Sequence, residues 1–244
     1  MSRIMLTAVM IALAASGADA METIAFPAGD GLEVSADLYL AHPLEAPFII
    51  LFHMAGSSRG EYRPIAARLN ELGFNAMAID QRSGGGSNGV SNETAARART
   101  RKLPSSWIDA LPDMRAAVGL ARQRYAKGKL ILWGSSYSAS LALKIAGEDP
   151  GSCDAVLAFS PGEYFGGSGL IAASAKGIKV PAFITSGKYE RDDWQKIYDA
   201  IPAPGKVSFL PGSSTEHGSP ALDPAKPASG ECWVAVKAFL AGVK

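Results

Sequence analysis

Residues 131–140 read ILWGSSYSAS, and the fold turns on what these serines are for. The apolar run Ile131-Leu132-Trp133 has the look of a strand, and the small apolar residues after Ser138 have that of a helix. A glycine and a serine cluster lie between them. A strand, a sharp turn and a helix are the setting of the nucleophile elbow G-x-S-x-G. Its turn is so tight that bulky side chains two residues either side of the nucleophile would clash. In Gly134-Ser135-Ser136-Tyr137-Ser138 the central residue is Ser136, and Ser138 stands where the second glycine is usual. The competing reading is a serine-rich turn whose hydroxyls only cap the helix.

The surroundings repeat the same alternation. Strands are expected at Leu32–Leu40, Phe48–Phe52, Phe74–Ile79, Leu130–Trp133, Ala155–Phe159, Val180–Thr185 and Val207–Leu210. Helices are expected at Tyr62–Leu72, where Ile65, Ala66, Leu69 and Leu72 share a face, at Ile108–Tyr125, Ser138–Gly147 and Cys232–Ala241. Gly73 is read as the stop of the first helix, and residues 83–106 as a long polar loop with room for one short helix. Continuous apolar strands alternating with helices predict an α/β fold, a mainly parallel central sheet with helices on both faces. Ligands in such sheets sit outside the carboxyl ends of the strands. The informative segments are therefore HMAGSS, DQRSGGGSNG, GSSYS, SPGEYF, SGKYERDD and PGSSTEHG.

A serine hydroxyl needs a base to become a nucleophile, and histidine is the usual one. The chain has three: His42, His53 and His217. His42 precedes Pro43 early in the chain and is read as an exposed loop residue. His53 ends a strand and is assigned to bracing the loop that follows it. His217 lies in the loop after the last strand, on the side of the sheet that reaches Ser136. The imidazole then needs a carboxylate. Glu190, three residues past Gly187, is the first candidate, with Asp192 and Asp193 as alternatives that would otherwise cap the next helix. The tetrahedral oxyanion requires N–H donors. Tyr137, just after the nucleophile, would supply one, and Ala55 or Met54 the other.

With these residues in place the chain resembles the α/β-hydrolase superfamily, whose order of nucleophile, acid and histidine matches Ser136, Glu190 and His217. The finer likeness is to small members of the dienelactone-hydrolase type. It is carried by LFHMAGSSRGEYRPIAARLNELGFNAMAIDQRSGGGSNG, which looks like their oxyanion loop, first helix and following strand. Dienelactone hydrolases proper use a cysteine nucleophile, so that specific activity does not carry over to Ser136. Met54 replaces the glycine usual after the histidine. The resemblance also implies a substrate-covering cap after the strand Ala155–Phe159. Only Ser160 to Lys179 separate that strand from the next, so no cap domain is expected and the pocket should be open, walled by Tyr164, Phe165 and the 83–106 segment.

At 244 residues and 48% hydrophobic content, the chain suits one globular domain over residues 21–244. Residues 1–20, MSRIMLTAVMIALAASGADA, place a basic residue before an apolar stretch from Ile4 to Ala15 and end in Ala18-Asp19-Ala20. That is the layout of a cleaved secretory signal peptide, with a stretch too short to span a bilayer. A periplasmic or secreted protein is expected, with no stable membrane anchor after cleavage. Export makes Cys153 and Cys232 a candidate disulfide. The fold opposes it, because the two would sit toward opposite ends of a strand about 17–20 Å long. With 24 Lys plus Arg against 23 Asp plus Glu, the net charge of +1 creates no field to gather nucleic acid. Arg97, Arg99, Arg101 and Lys102 are read as a solvated loop, with contact to an anionic substrate or cell-wall polymer as the alternative. Gly84, Gly86 and Gly89 form a literal G-x-G-x-x-G, but a polar loop follows where a dinucleotide site needs a helix. No cofactor is expected, and no Cys/His cluster has metal-ligand spacing.

The expected function is a serine hydrolase that cleaves a carboxylic ester, or an amide, of a small molecule. Two alternatives stay open. One is an exported binding protein that keeps the fold without catalysis, and the other a peptidase or acyltransferase using the same serine.

Overall fold

The computed structural model describes residues 21–167 and 169–244. The expected signal peptide, residues 1–20, lies outside the described residues. Eight strands form one sheet: β1 (Met21–Pro27), β2 (Glu33–Tyr39), β3 (Phe48–Phe52), β4 (Asn75–Ile79), β5 (Leu130–Ser135), β6 (Ala155–Phe159), β7 (Ala182–Thr185) and β8 (Lys206–Phe209). Their order across the sheet is β1-β2-β4-β3-β5-β6-β7-β8. β2 runs antiparallel to both of its neighbours, and every other pair is parallel.

The central strands are buried along their whole length, which is why they read as unbroken apolar runs. The pleat divides β3 between two cores. Phe48, Ile50 and Phe52 face the layer built by α3 (Leu111–Leu120), α4 (Tyr137–Glu148) and α6 (Arg191–Ala200). Ile49 and Leu51 face α1 (Arg63–Glu71) and α7 (Ser229–Ala241). Ile65, Ala66 and Leu69 are the buried face of α1, and Gly73 ends it at φ +87°, a conformation that favours glycine.

β1 is an addition to the expected strands. It is an edge strand whose residues are mostly exposed, and with only Ile24 and Phe26 turned to the core its apolar alternation is too short to read. The 83–106 segment also differs from the expected loop. Gly86–Ser87 and Val90–Ser91 pair as a short hairpin, and Glu93–Thr100 forms α2. The turn is Asn88-Gly89 with positive φ at both residues, the combination that a two-residue hairpin requires. Asn92 caps α2 by accepting from the Ala95 N–H at 2.7 Å. Arg97 pairs with Glu33 and Glu93, a structural use of that basic group. His42 is half-buried rather than exposed, with its ring held by the Asn70 carbonyl at 2.7 Å.

Cys153 and Cys232 are free and buried. They belong to different cores, so the sheet lies between them. The link from β6 to β7 contains α5 (Leu170–Ala175), a helix too short to roof the sheet. Among the described residues no helix is long and apolar enough to cross a membrane. After β3 the chain pairs β4 on one side, then returns to add β5 on the other. This reversal opens a crevice outside the carboxyl ends of β3 and β5, where the loop 53–58 and residues 135–138 meet.

Candidate active site

Ser136 stands between β5 and α4 at φ 60°, ψ −127°, a conformation that costs a non-glycine residue about 1–3 kcal/mol. The turn is possible because Gly134 has no side chain: a Cβ there would lie 2.4 Å from the Ala139 Cα. Ser138 occupies the second glycine position as a clamp. It is fully buried, accepts from the Ser135 N–H at 3.0 Å, and its hydroxyl reaches the carbonyls of Phe52 and Ser135 at 2.7 and 2.9 Å. Its hydroxyl thus fastens the turn to the end of β3, where the loop 53–58 begins.

The histidine loop arrives from beyond β8. His217 Nε2 lies 2.7 Å from Ser136 Oγ, and its Nδ1 is hydrogen-bonded to Glu190 Oε1. The residues just after it are pinned. The Gly218 N–H donates to Ser160 Oγ at 2.9 Å, the Ser219 N–H to Ser135 Oγ at 2.9 Å, and the Trp133 indole to Ser219 Oγ at 2.9 Å. Gly218 is at φ +75°, and a Cβ on it would lie 2.4 Å from Ser135 Oγ.

Glu190 is buried at the start of α6. Its Oε2 accepts from the Ser160 hydroxyl at 2.7 Å and the Gly187 N–H at 3.1 Å. Burial by itself pushes this carboxyl up, but His217, Ser160 and the Gly187 N–H together hold it below the ordinary glutamate value. The hydrogen bond to Glu190 raises His217 above the usual imidazole value, against an opposing effect of burial. Asp192 and Asp193, the alternatives to Glu190, are exposed in the first turn of α6 and do not bond the imidazole.

Among the described residues, the N–H groups of Ala55 and Tyr137 donate to no protein acceptor. They stand on the two loops that flank Ser136. Met54, the other expected donor, is corrected: its N–H is committed to Glu61 Oε2 at 3.0 Å. Glu61 is buried, and desolvation raises its carboxyl despite the Met54 N–H. His53 braces this loop. Nδ1 bonds the Met54 carbonyl at 2.8 Å, and Nε2 accepts from the Gln81 N–H at 2.9 Å. Burial lowers its pKa to about 4, so the ring is neutral and suited to these roles.

Tyr164 and Phe165 are half-buried on the loop after β6. The Tyr164 hydroxyl donates to the Ser160 carbonyl at 2.9 Å. Burial, aided by nearby Glu190, pushes this phenol up to about 12, and the Ser136 hydroxyl is close enough to oppose the shift. Phe165 packs against the core on the α4 side. Sequence reasoning missed Ser160, Ser135 and Ser219, whose only local signal is a serine at the end of a strand or beside the histidine. Among the described residues no cluster of His, Cys, Asp and Glu could hold a metal ion.

The arrangement is a hydroxyl, an imidazole and a carboxylate in one hydrogen-bonded line, with N–H groups free of protein acceptors at Tyr137, the next residue, and at Ala55 in the loop after β3. It can move a proton off an attacking oxygen and hold the negative charge that the attack creates.

The family model described as serine aminopeptidase, S33 (Hydrolase_4) matches residues 45–166. No curated protein matches the chain. Among solved structures, an esterase of Pyrococcus furiosus shares 18% identity, with 92% of this chain and 93% of that one covered and a TM-score of 0.71. A dienelactone hydrolase of Anabaena variabilis shares 16% identity, with 93% and 99% covered and a TM-score of 0.72. The acylaminoacyl peptidase of Pyrococcus horikoshii shares 15% identity over 91% of this chain and 41% of that one, with a TM-score of 0.68. At these identities the likeness is one of fold, the α/β-hydrolase fold.

Proposed function

We propose, for a chain that belongs to the serine aminopeptidase S33 family and is a serine hydrolase, that Ser136, His217 and Glu190 cleave a carboxylic ester through an acyl-enzyme. One observation carries this reading: the unbroken line from Ser136 Oγ to His217 Nε2 at 2.7 Å and from His217 Nδ1 to Glu190. Ser136 Oγ attacks the acyl carbon while His217 Nε2 takes its proton. The carbonyl oxygen becomes an oxyanion held by the Ala55 and Tyr137 N–H groups. The imidazolium, stabilised by Glu190, returns the proton to the departing alkoxide, and the alcohol leaves. Water then enters, loses a proton to His217 and attacks the acyl group. Ser136 departs with that proton, and the carboxylic acid is released.

A fluorophosphonate probe is expected to label the protein at Ser136. Turnover of p-nitrophenyl acetate should vanish in Ser136→Ala, and turnover at the wild-type rate in that variant refutes the proposal. A second reading, cleavage of an amide next to a free amino group, is favoured by the family's description. Asp193, exposed and close enough to help raise His217, would meet the substrate ammonium. Comparing amino-acid p-nitroanilides with p-nitrophenyl esters separates the two. Export to the periplasm or beyond rests on the three-part pattern of residues 1–20. Sequencing of the native N-terminus should begin at Met21.

A further inference from the structure

We propose that Trp107 and Tyr164 form a subsite for a planar ring carried by the ester substrate, an inference that rests on the ester reading. The chain has four tryptophans. Trp133, Trp194 and Trp233 are at most 2% exposed, whereas Trp107 is 43% exposed. An indole is among the costliest side chains to leave in water, and this one stacks on Tyr137, the residue that follows the candidate nucleophile.

Its inner face lies on Tyr137, with ring centroids 5.9 Å apart and planes 17° from parallel. Tyr137 is the residue after Ser136, and its own ring is immobilised by hydroxyl bonds with Gln81 and Ser83 at 3.0 and 2.7 Å. Tyr164 stands edge-on to the indole, at 6.1 Å and 85°. Its phenol is tied to the Ser160 carbonyl. The loop that carries it is held by the reciprocal bonds of Ser140 with Gly162, at 2.7 and 2.9 Å. The backbone under Trp107 is fixed as well, by the Ser106 N–H donating to Asp109 at 2.8 Å.

The result is a rigid corner: an indole stacked on Tyr137 yet 43% exposed, and a tyrosine at right angles to it. Aromatic rings prefer offset stacking or edge-to-face contact at these spacings. A planar guest finds the first on Trp107 and the second on Tyr164. A saturated ring of the same size gains only the area it buries. The corner adjoins the reacting atoms, so the ring belongs to the acyl group or to the alcohol.

Two matched pairs of esters test this, followed by pH-stat titration. Methyl 3-phenylpropanoate against methyl 3-cyclohexylpropanoate places the ring on the acyl side. Benzyl acetate against cyclohexylmethyl acetate places it on the alcohol side. The planar member is expected to be preferred in kcat/KM by about fivefold in one pair. The preference should fall to near one in Trp107→Ala and Trp107→Leu and be largely kept in Trp107→Phe. Because the readout is a ratio, a general loss of activity does not imitate it. Equal rates within both pairs, or a preference unchanged in Trp107→Ala, overturns the subsite. Failure of the ester reading is distinct, because then none of the four esters turns over. In that event calorimetry of 3-phenylpropanoate and of benzyl alcohol binding to the wild type and to Trp107→Leu decides the subsite. Weaker binding of either ligand by the variant supports it, and equal binding of both refutes it.

Discussion

Replacing Glu190 by glutamine keeps the shape of the side chain and removes its charge, and the hydrogen bonds around it set the cost. The carboxylate serves three donors: His217 Nδ1–H on one oxygen, and the Ser160 hydroxyl and Gly187 N–H on the other. An amide has one acceptor oxygen. Turned toward Ser160 and Gly187, it presents its NH2 to His217 and forces the proton onto Nε2, where the imidazole no longer accepts from Ser136. Turned toward His217, it sets its NH2 against the Gly187 N–H and strands that donor. The wrong tautomer is thus favoured by roughly one hydrogen bond, about 1 kcal/mol. The imidazolium of the transition state also loses its counter-charge. That interaction is worth about 4 kcal/mol at an effective dielectric near 20, trimmed to about 3 because the His217 side chain is 35% exposed. The sum, about 4 kcal/mol, is about a thousandfold in kcat/KM. A second readout comes from the acid limb of the pH–rate profile, where His217 must be neutral to act. Glu190 raises the imidazole pKa, so its loss moves that limb to lower pH. Both are measured with p-nitrophenyl acetate from pH 4 to 9, with melting temperature as the folding control. A folded variant within tenfold of the wild type, or an acid limb that stays in place, refutes the role given to Glu190.

Two further expectations concern the scaffold. Ser138→Gly restores the residue usual at that position, yet it should destabilise the protein by about 1–2 kcal/mol in urea unfolding, because the Phe52 and Ser135 carbonyls lose their shared donor. Equal or greater stability contradicts the clamp. His53 has a folded pKa of about 4, below the unfolded value near 6.5, so between these values the unfolded chain binds more protons. Its contribution is complete above pH 6.5 and is lost as pH falls, by about 2 kcal/mol at pH 5. Proton-detected NMR of the imidazoles should find His53 neutral at pH 5 and His217 charged, and a His53 that titrates near 6.5 would contradict its burial.

The parallel strands were legible because a strand buried on both faces must be apolar at every position, as Phe48–Phe52 is. The turn at Ser136 was legible because only small residues fit around it. β1 was not, since a mostly exposed edge strand turns only Ile24 and Phe26 to the core and leaves too little alternation to read. The 86–91 hairpin was missed although Asn88-Gly89 states its turn, because the flanking strands are too short to alternate. The choice between Ala55 and Met54 lay beyond local reading. It depends on Glu61, seven residues past Met54, whose carboxylate takes the Met54 N–H and leaves that of Ala55 free. Trp107 adjoins a stretch assigned to helix, and nothing in its neighbours marks it as exposed.

The missed serines answer a question that the fold alone leaves open. A parallel sheet brings three strand-end loops to one rim, but reaction geometry tolerates errors well below an ångström, and loops free of regular structure do not hold such tolerances unaided. Here each loop is tied to another by a hydroxyl: Ser138 joins the nucleophile turn to β3, Ser135 joins it to the histidine loop, and Ser160 joins the histidine loop to Glu190. At about 1 kcal/mol per bond, these four contacts contribute roughly 4 kcal/mol. Ser136 and Ser160, at φ 60° and 53°, store about 1–3 kcal/mol of backbone strain each. The two quantities are of the same size, so the clamps suffice to hold the strained turns without drawing on the core. Small polar residues recur at this rim because a serine reaches a neighbouring backbone from a turn too tight for any longer side chain.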